Sequence, residues 1–157
     1  LKIKLLTLGK TNGDWLIKGI EDYKSRLKHY TNFEIIEIPD IKNKATLSIE
    51  KLKEAEFIEL EKYIDKDSLV IALDEHGKEM NSQDFSNFID KKIVAGNRQL
   101  IFIIGGAFGI SAKLLTTCND KIALSLMTFS HQMVRLIFVE QLYRAFTIIK
   151  NEKYHHK

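Results

Sequence analysis

The sequence predicts an α/β protein: a parallel β-sheet with helices packed on both faces, a three-layer sandwich. Two observations carry that reading. The apolar period alternates between two and 3.6 along most of the 157 residues. The two central strand segments, Ser68 to Leu73 and Gln99 to Ile104, are nearly all apolar, as strands buried on both faces of a parallel sheet must be.

The elements follow in order. Ile3 to Leu8 reads as a strand, and Asp14 is placed to cap a helix reaching about Tyr30. Phe33 to Ile38 forms a second strand, stopped by Pro39, the single proline. Leu47 to about Ile64 is a charged amphipathic helix expected to turn Leu52, Ala55 and Ile58 inward. After the strand at Ser68 to Leu73, Asn81 or Ser82 opens a helix running to about Ala95. Ser111 caps a short helix after the strand at Gln99 to Ile104, Lys121 to Leu124 forms a fifth strand, and a last helix spans about His131 to Lys150. No linker, repeat or low-complexity segment divides residues 1–157, so one domain is expected.

That last helix is apolar nearly all round, from Met133 through Ile149. His131 and Arg135 project to one side; Glu140, Arg144 and Thr147 project roughly opposite. Such a helix needs cover on two sides. Its own sheet is one cover and a second copy of the chain is the expected other, with deep burial inside one chain as the alternative.

Composition excludes several function classes. A 45% hydrophobic and 29% charged chain suits a folded core. No stretch approaches the roughly 20 apolar residues of a membrane span, and Leu1 to Gly9 reads as a strand and not as a signal peptide. A single cysteine, Cys118, fits a reduced, cytoplasmic setting. The +3 formal charge is concentrated. Between His131 and Lys157, Arg135, Arg144, Lys150, Lys153 and Lys157 stand against Glu140 and Glu152. A polyanion contact or simple helix-dipole compensation accounts for that excess.

Ligands of parallel α/β sheets bind at the carboxyl ends of the strands. Three loops qualify: Leu73-Asp74-Glu75-His76-Gly77-Lys78, Ile104-Gly105-Gly106-Ala107-Phe108-Gly109, and Leu124 to Ser130. The glycine loop is not the dinucleotide fingerprint, because the spacing is G-G-x-x-G after the fourth strand, and no G-x-x-x-x-G-K-[ST] loop exists. Gly105 and Gly106 serve either close backbone approach to a flat ligand or a tight turn. Ser125 to Ser130 offers backbone groups to a ligand edge and apolar side chains to its face. His131, His155 and His156 lack C-x-x-C or H-E-x-x-H companions, so no metal site is expected. Ser130-His131 lacks a G-x-S-x-G elbow.

Together the segments L-D-E-H-G-K, F-I-I-G-G-A-F-G, L-S-L-M-T-F-S-H-Q-M-V-R, E-Q-L-Y-R-A and N-E-K-Y-H-H-K resemble the ribosomal RNA large subunit methyltransferase H family. The resemblance extends over the whole chain, including the opening strand and Asp14-Trp15. It implies a SPOUT methyltransferase with a C-terminal deep trefoil knot, an exception to the rule against knots. It further implies a homodimer that binds S-adenosylmethionine in the knot and methylates N3 of a pseudouridine in 23S rRNA of assembled ribosomes, without DNA or membrane partners. By position, Leu73, Gly105, Gly106, Ser125, Leu126, Met127, Thr128, Phe129 and Ser130 are the implied cofactor contacts. Arg144, Tyr154 and His155 are the implied catalytic residues. Arg144 has a plainer alternative, a pair with Glu140 one turn earlier. The sequence departs from the family pattern in its ending, with His156-Lys157 after Tyr154-His155 and Lys153 where proline is common. Two other classes remain open here: a catalytically inert ribosome-associated or RNA-binding dimer of the same fold, and an α/β nucleotide-binding module, which the missing phosphate loops disfavour.

Overall fold

A computed structural model describes residues 1–156; Lys157, counted above in the basic tail, lies outside the described residues. Five parallel strands run in the order β2-β1-β4-β3-β5: β1 Lys2–Leu8, β2 Asn32–Ile38, β3 Leu69–Glu79, β4 Gln99–Ile104 and β5 Asp120–Ala123. Ile3 aligns with Phe33 on one side and Leu100 on the other, and Ile71 aligns with Phe102. The central strand β4 buries Leu100 to Ile104 almost completely, hence its unbroken apolar run.

One face carries α1 (Asp14–Leu27), α3 (Ser82–Val94) and α5 (Met133–Ile149). Their core joins Leu16, Ile20, Phe85, Ile89, Phe138 and Leu142 to Ile3, Leu5 and Phe102. The other face carries α2 (Ile49–Glu61) and the short α4 (Ala112–Thr117) over Leu6, Leu8, Ile101 and Ile103. The helix α5 follows the edge strand β5 yet lies between α1 and α3. Its cover within one chain is therefore more complete than two-sided exposure implies: Phe138, Val139, Leu142, Ala145 and Phe146 are all buried. Arg135 and Thr147, assigned to opposite polar sides, are buried too.

Three local expectations are corrected. Gly13, not Asp14, stands at the N-cap of α1; Asp14 is the first helical residue, where its charge complements the helix dipole. Ile58 is 55% exposed, while Phe57 and Leu60 point inward with Leu52; the α2 stripe is displaced by one residue. The strand β3 does not stop at Leu73. It bulges through residues 74–77 and resumes, so that Leu73 and Lys78 both align with Ile122. Gly77 makes that possible, because a Cβ there would sit 2.6 Å from the backbone nitrogen of Ile122.

Candidate active site

The bulge within β3 and the loops leaving β4 and β5 surround a cavity of about 920 Å³, in the size range of small-molecule sites. Leu73, Gly105, Gly106, Ser125, Met127, Thr128, Phe129 and Ser130 all line it. Leu126 does not; its side chain is 78% exposed. Asp74, Glu75 and His76 of the first loop, Ala107 and Phe108 of the second, and Lys121, His131 and Val134 complete much of the wall.

Local chemistry holds these loops in place. Asp74 accepts the His76 backbone N–H at 2.9 Å, an Asx-turn that folds the bulge back. The Thr128 hydroxyl donates to Glu75 at 2.7 Å and ties the loop after β5 to the one within β3. Ser125 accepts from Met127 N at 2.9 Å and Ser130 from Met133 N at 3.1 Å, so the second hydroxyl satisfies a free donor at the start of α5. In the glycine loop, Gly109 N donates to Gly106 O at 3.0 Å and Gly109 has φ of 78°. A Cβ on Gly105 would lie 2.6 Å from the Gly109 carbonyl carbon, and one on Gly106 would lie 2.5 Å from Oε1 of Glu56. These contacts account for both glycines by the tight turn, whose backbone also borders the cavity. Burial, and after it the charge of Asp40, raises the carboxyl pKa of Glu56 above its ordinary value.

Arg144, Tyr154 and His155 come together elsewhere. Glu140 accepts from Arg144 Nη2 at 2.6 Å and from the Tyr154 hydroxyl at 3.0 Å. The guanidinium stacks over the Tyr154 ring at 4.8 Å, and Arg144 Nη1 lies 3.5 Å from Nδ1 of His155. Burial chiefly, with the Tyr23 hydroxyl 3.1 Å away and the Glu140 charge, holds the Tyr154 phenol well above its usual range. This cluster is formed around the later turns of α5. Val134, at the cavity, precedes Arg144 by ten residues, roughly 15 Å along a helix. One protomer therefore keeps the two groups of residues apart.

Sequence reasoning missed Arg135, which is fully buried at the start of α5. Its guanidinium donates to Leu8 O at 2.7 Å, Gly9 O at 3.1 Å and Thr11 Oγ1 at 2.9 Å, while its Nε donates to His131 O at 3.0 Å. The available signal was a lone cation embedded in Met-Val-Arg-Leu-Ile-Phe. Burial lowers its pKa, with Glu37 and Asp40 acting in the opposite direction.

An α/β sheet with its cavity at the strand ends, walled by loop backbone without a phosphate fingerprint, defines a class that the comparisons specify. A family model described as Predicted SPOUT methyltransferase matches residues 1–155. Two solved structures share the fold at low identity. The probable methyltransferase from Bordetella pertussis Tohama I has a TM-score of 0.59 at 10% identity, over 92% of this chain and 95% of that one. A probable methylase family protein from Haemophilus influenzae Rd KW20 has 0.51 at 14%, over 99% and 70%. Among relatives, the ribosomal RNA large subunit methyltransferase H of Phocaeicola vulgatus is 47% identical over 157 residues, covering 100% of both chains. That of Cytophaga hutchinsonii is 51% identical over 158 residues, covering 99% of this chain and 100% of its own. The chain belongs to the SPOUT methyltransferase family, alongside relatives that carry the ribosomal RNA large subunit methyltransferase H name.

Proposed function

We propose that this protein is a cytoplasmic, single-domain S-adenosylmethionine-dependent methyltransferase that modifies N3 of a pseudouridine in 23S rRNA on assembled ribosomes, working as a homodimer. The observation that carries the reading is the convergence of Leu73, Gly105, Gly106 and five residues of the 125–130 loop on one cavity. Full-length relatives at 47% and 51% identity, named for methylating large-subunit rRNA, support the substrate class. Among the described residues no helix is long and apolar enough to cross a membrane.

The residues present fit the donor. Gly105 and Gly106 expose backbone to a flat group, Met127 and Phe129 supply apolar surface, and Asp74 and Glu75 bring carboxylates to a cationic ligand. When bound, S-adenosylmethionine supplies an electrophilic methyl group on a sulfonium. The chain's own residues orient the acceptor and handle its proton. Glu140 holds the Arg144 guanidinium, which stabilises negative charge developing on the pyrimidine as N3 loses its proton. Tyr154 offers a ring for stacking. His155 takes the N3 proton at Nδ1, the nitrogen that faces the donor-only guanidinium of Arg144 and therefore carries the lone pair.

Because the cluster and the cavity are separated within one protomer, a partner protomer supplies Arg144, Tyr154 and His155 to the site. Phe108, Leu126, Met127 and Met133 are exposed apolar side chains that such a partner would cover. The deep trefoil knot that the family resemblance implies would involve the segment in which the chain passes from edge strand β5 to α5, between α1 and α3.

The test is transfer of labelled methyl from S-adenosylmethionine to ribosomes lacking the modification, beside free rRNA and separated subunits. Label at one pseudouridine on assembled ribosomes is expected. Donor binding without transfer to any of these would overturn the substrate. No donor binding would make the protein an inert ribosome-associated or RNA-binding dimer.

A further inference from the structure

The C-terminal ends of α1 and α5 lie side by side. The Tyr30 hydroxyl donates to Glu152 at 2.5 Å, and its ring stacks on Phe146 at 5.8 Å. Around Tyr143 the rings form one half-buried aromatic patch: Tyr30 lies 6.0 Å away, Tyr23 5.8 Å and Tyr154 4.8 Å. The patch runs without a break into the Arg144 and His155 cluster, because the Arg144 guanidinium sits over Tyr154.

Cations rim this patch. Arg26, its side chain 45% exposed, stands over the rings of Tyr23 and Tyr143 at 5.4 and 5.7 Å. Lys28, Lys150 and Lys153 are exposed and make no ion pair among the described residues. The acids of the same surface are already engaged: Glu21 by Lys24 at 2.6 Å, Asp22 by Arg26 at 2.9 Å, Glu140 by Arg144 at 2.6 Å, and Glu152 by Tyr30. The lysine charges therefore face solvent uncompensated. Helix dipoles favour cations here, which accounts for Lys24 and Arg26 in the last turn of α1 and for the C-caps Lys28 and Lys150. They do not account for Lys153, beyond the helix end, nor for the rings laid among the cations.

We propose that this surface grips the single-stranded RNA that flanks the target base, with Lys28, Lys150 and Lys153 holding backbone phosphates beside the cluster of Arg144, Tyr154 and His155. The inference rests on the methyltransferase reading above and says where its RNA is held. A base drawn out of its stack reaches that cluster only with its own strand alongside. Cations interleaved with ring faces suit such a strand, the phosphates meeting the charges and the neighbouring bases meeting the rings. Duplex RNA keeps its base faces stacked and leaves the rings unused.

The experiment neutralises the rim with Lys28→Gln, Lys150→Gln and Lys153→Gln combined. A control removes the same charge around α2, on the opposite helical layer, with Lys51→Gln, Lys62→Gln and Lys66→Gln. Ribosome Kd is measured by sedimentation at several salt concentrations, kcat on saturating ribosomes that lack the modification, and donor Kd by calorimetry with S-adenosylmethionine. The expected result is a ribosome Kd raised about 10-fold or more, with a salt slope shallower by about 2, since each single-strand phosphate contact contributes roughly 0.7. Its kcat and donor Kd should stay within about 3-fold of wild type, and the control should match wild type throughout. Lys28→Arg, Lys150→Arg and Lys153→Arg combined should restore the wild-type Kd. An unchanged Kd in the glutamine variant would overturn the proposal, as would an arginine variant equally weak. So would an equal rise in the control, which marks bulk charge, or a raised Kd at unchanged salt slope, which marks a protein contact. A lost kcat at unchanged Kd would overturn it too, by moving these lysines into the reaction itself. Failure of the wild-type protein to bind and methylate ribosomes would overturn the parent reading instead, and this one with it.

Discussion

Replacing Arg135 by methionine tests the lattice of bonds that fixes the loop after β1 to the start of α5. Methionine keeps an unbranched stem of similar reach and removes every donor. The variant loses four hydrogen bonds from the guanidinium, of 2.7 to 3.1 Å. Bonds from a charged donor contribute roughly 1.5–3 kcal/mol each, but a buried guanidinium also sheds a desolvation cost of several kcal/mol when removed. Those two largely cancel. What survives is the cost of orphaned acceptors, and two of the four bonds, to Leu8 O and Gly9 O, lie in buried surroundings. At about 1–3 kcal/mol for each unmet group, the variant is less stable by about 2–6 kcal/mol. For a chain of this length that lowers the melting midpoint by roughly 5–20 °C. Thermal and urea unfolding at one fixed protein concentration measure it, since any self-association would make stability concentration-dependent. Arg135→Lys, which keeps the charge but not the fork, should recover less than half of the loss. A methionine variant melting within 2 °C of the wild-type protein would refute the reasoning, because the carbonyls would then have other partners.

Four shorter predictions follow from other parts of the molecule. Burial, then the hydrogen bond to Glu152, pushes the Tyr30 phenol up to about 12. Its raised pKa contributes stability that is present below the unfolded value of about 10 and lost as pH rises through about 12; ultraviolet titration should show that late step, absent in Tyr30→Phe. Burial also pushes the Cys118 thiol from 9.0 to about 11. Iodoacetamide at pH 8 should therefore modify it about 100-fold more slowly in the folded protein than in urea, where a comparable rate would contradict the burial. Gly77→Ala should unfold or fail to accumulate, because the new Cβ meets β5 backbone at 2.6 Å and nothing there can move aside, whereas soluble expression with native melting would place the bulge elsewhere. If the site is shared across a dimer, equal mixing and re-association of Arg144→Ala with a donor-cavity variant leaves half the dimers mixed, each with one intact site. Methyl transfer should then recover to about a quarter of the wild-type level, and no recovery would confine the site to one protomer.

The elements most legible in the sequence were those with one physical determinant. The strands at β3 and β4 announce themselves because burial on both faces demands uninterrupted apolar side chains. The loops at the carboxyl ends of β4 and β5 and the point where β3 leaves its apolar run were locatable for the same reason, since the topology rule needs only the ends of the buried runs. Other features depend on register between distant segments. The continuation of β3 through polar Asp74 to Glu79 is paid for by pairing with β5, and Gly77 alone hinted at it. In α2 the run Phe57-Ile58-Glu59-Leu60 fits two phases of a helix, and packing against Leu114 and β-sheet residues selects the one that buries Phe57. A smaller cavity, of about 460 Å³, is lined by short segments at the ends of β1 and β2 and just before α5, none unusual in its own neighbourhood. Likewise Arg144 could be named from the family resemblance, but its separation from the donor cavity is a consequence of helix rise.

A site assembled from loops on separate strands keeps its shape only if the loops are fastened to one another. Here nearly all the fastening comes from one stretch, residues 128–135. Thr128 ties to Glu75, Ser130 caps the first turn of α5, Gln132 holds Lys10 and Asn12, and Arg135 holds Leu8 to Thr11. The intervening Phe129, His131 and Val134 line the 920 Å³ cavity. The segment thus both lines the site and laces it, which explains why hydroxyls, an amide and a guanidinium are interleaved with apolar residues without a clean helical or strand period. It also has an energetic consequence. The lacing contacts join the loop after β1, the bulge in β3 and the loop after β5, so their loss loosens several walls at once. Stability and ligand affinity are consequently coupled across this segment, while surface pairs such as Lys62–Glu59 lie outside that network.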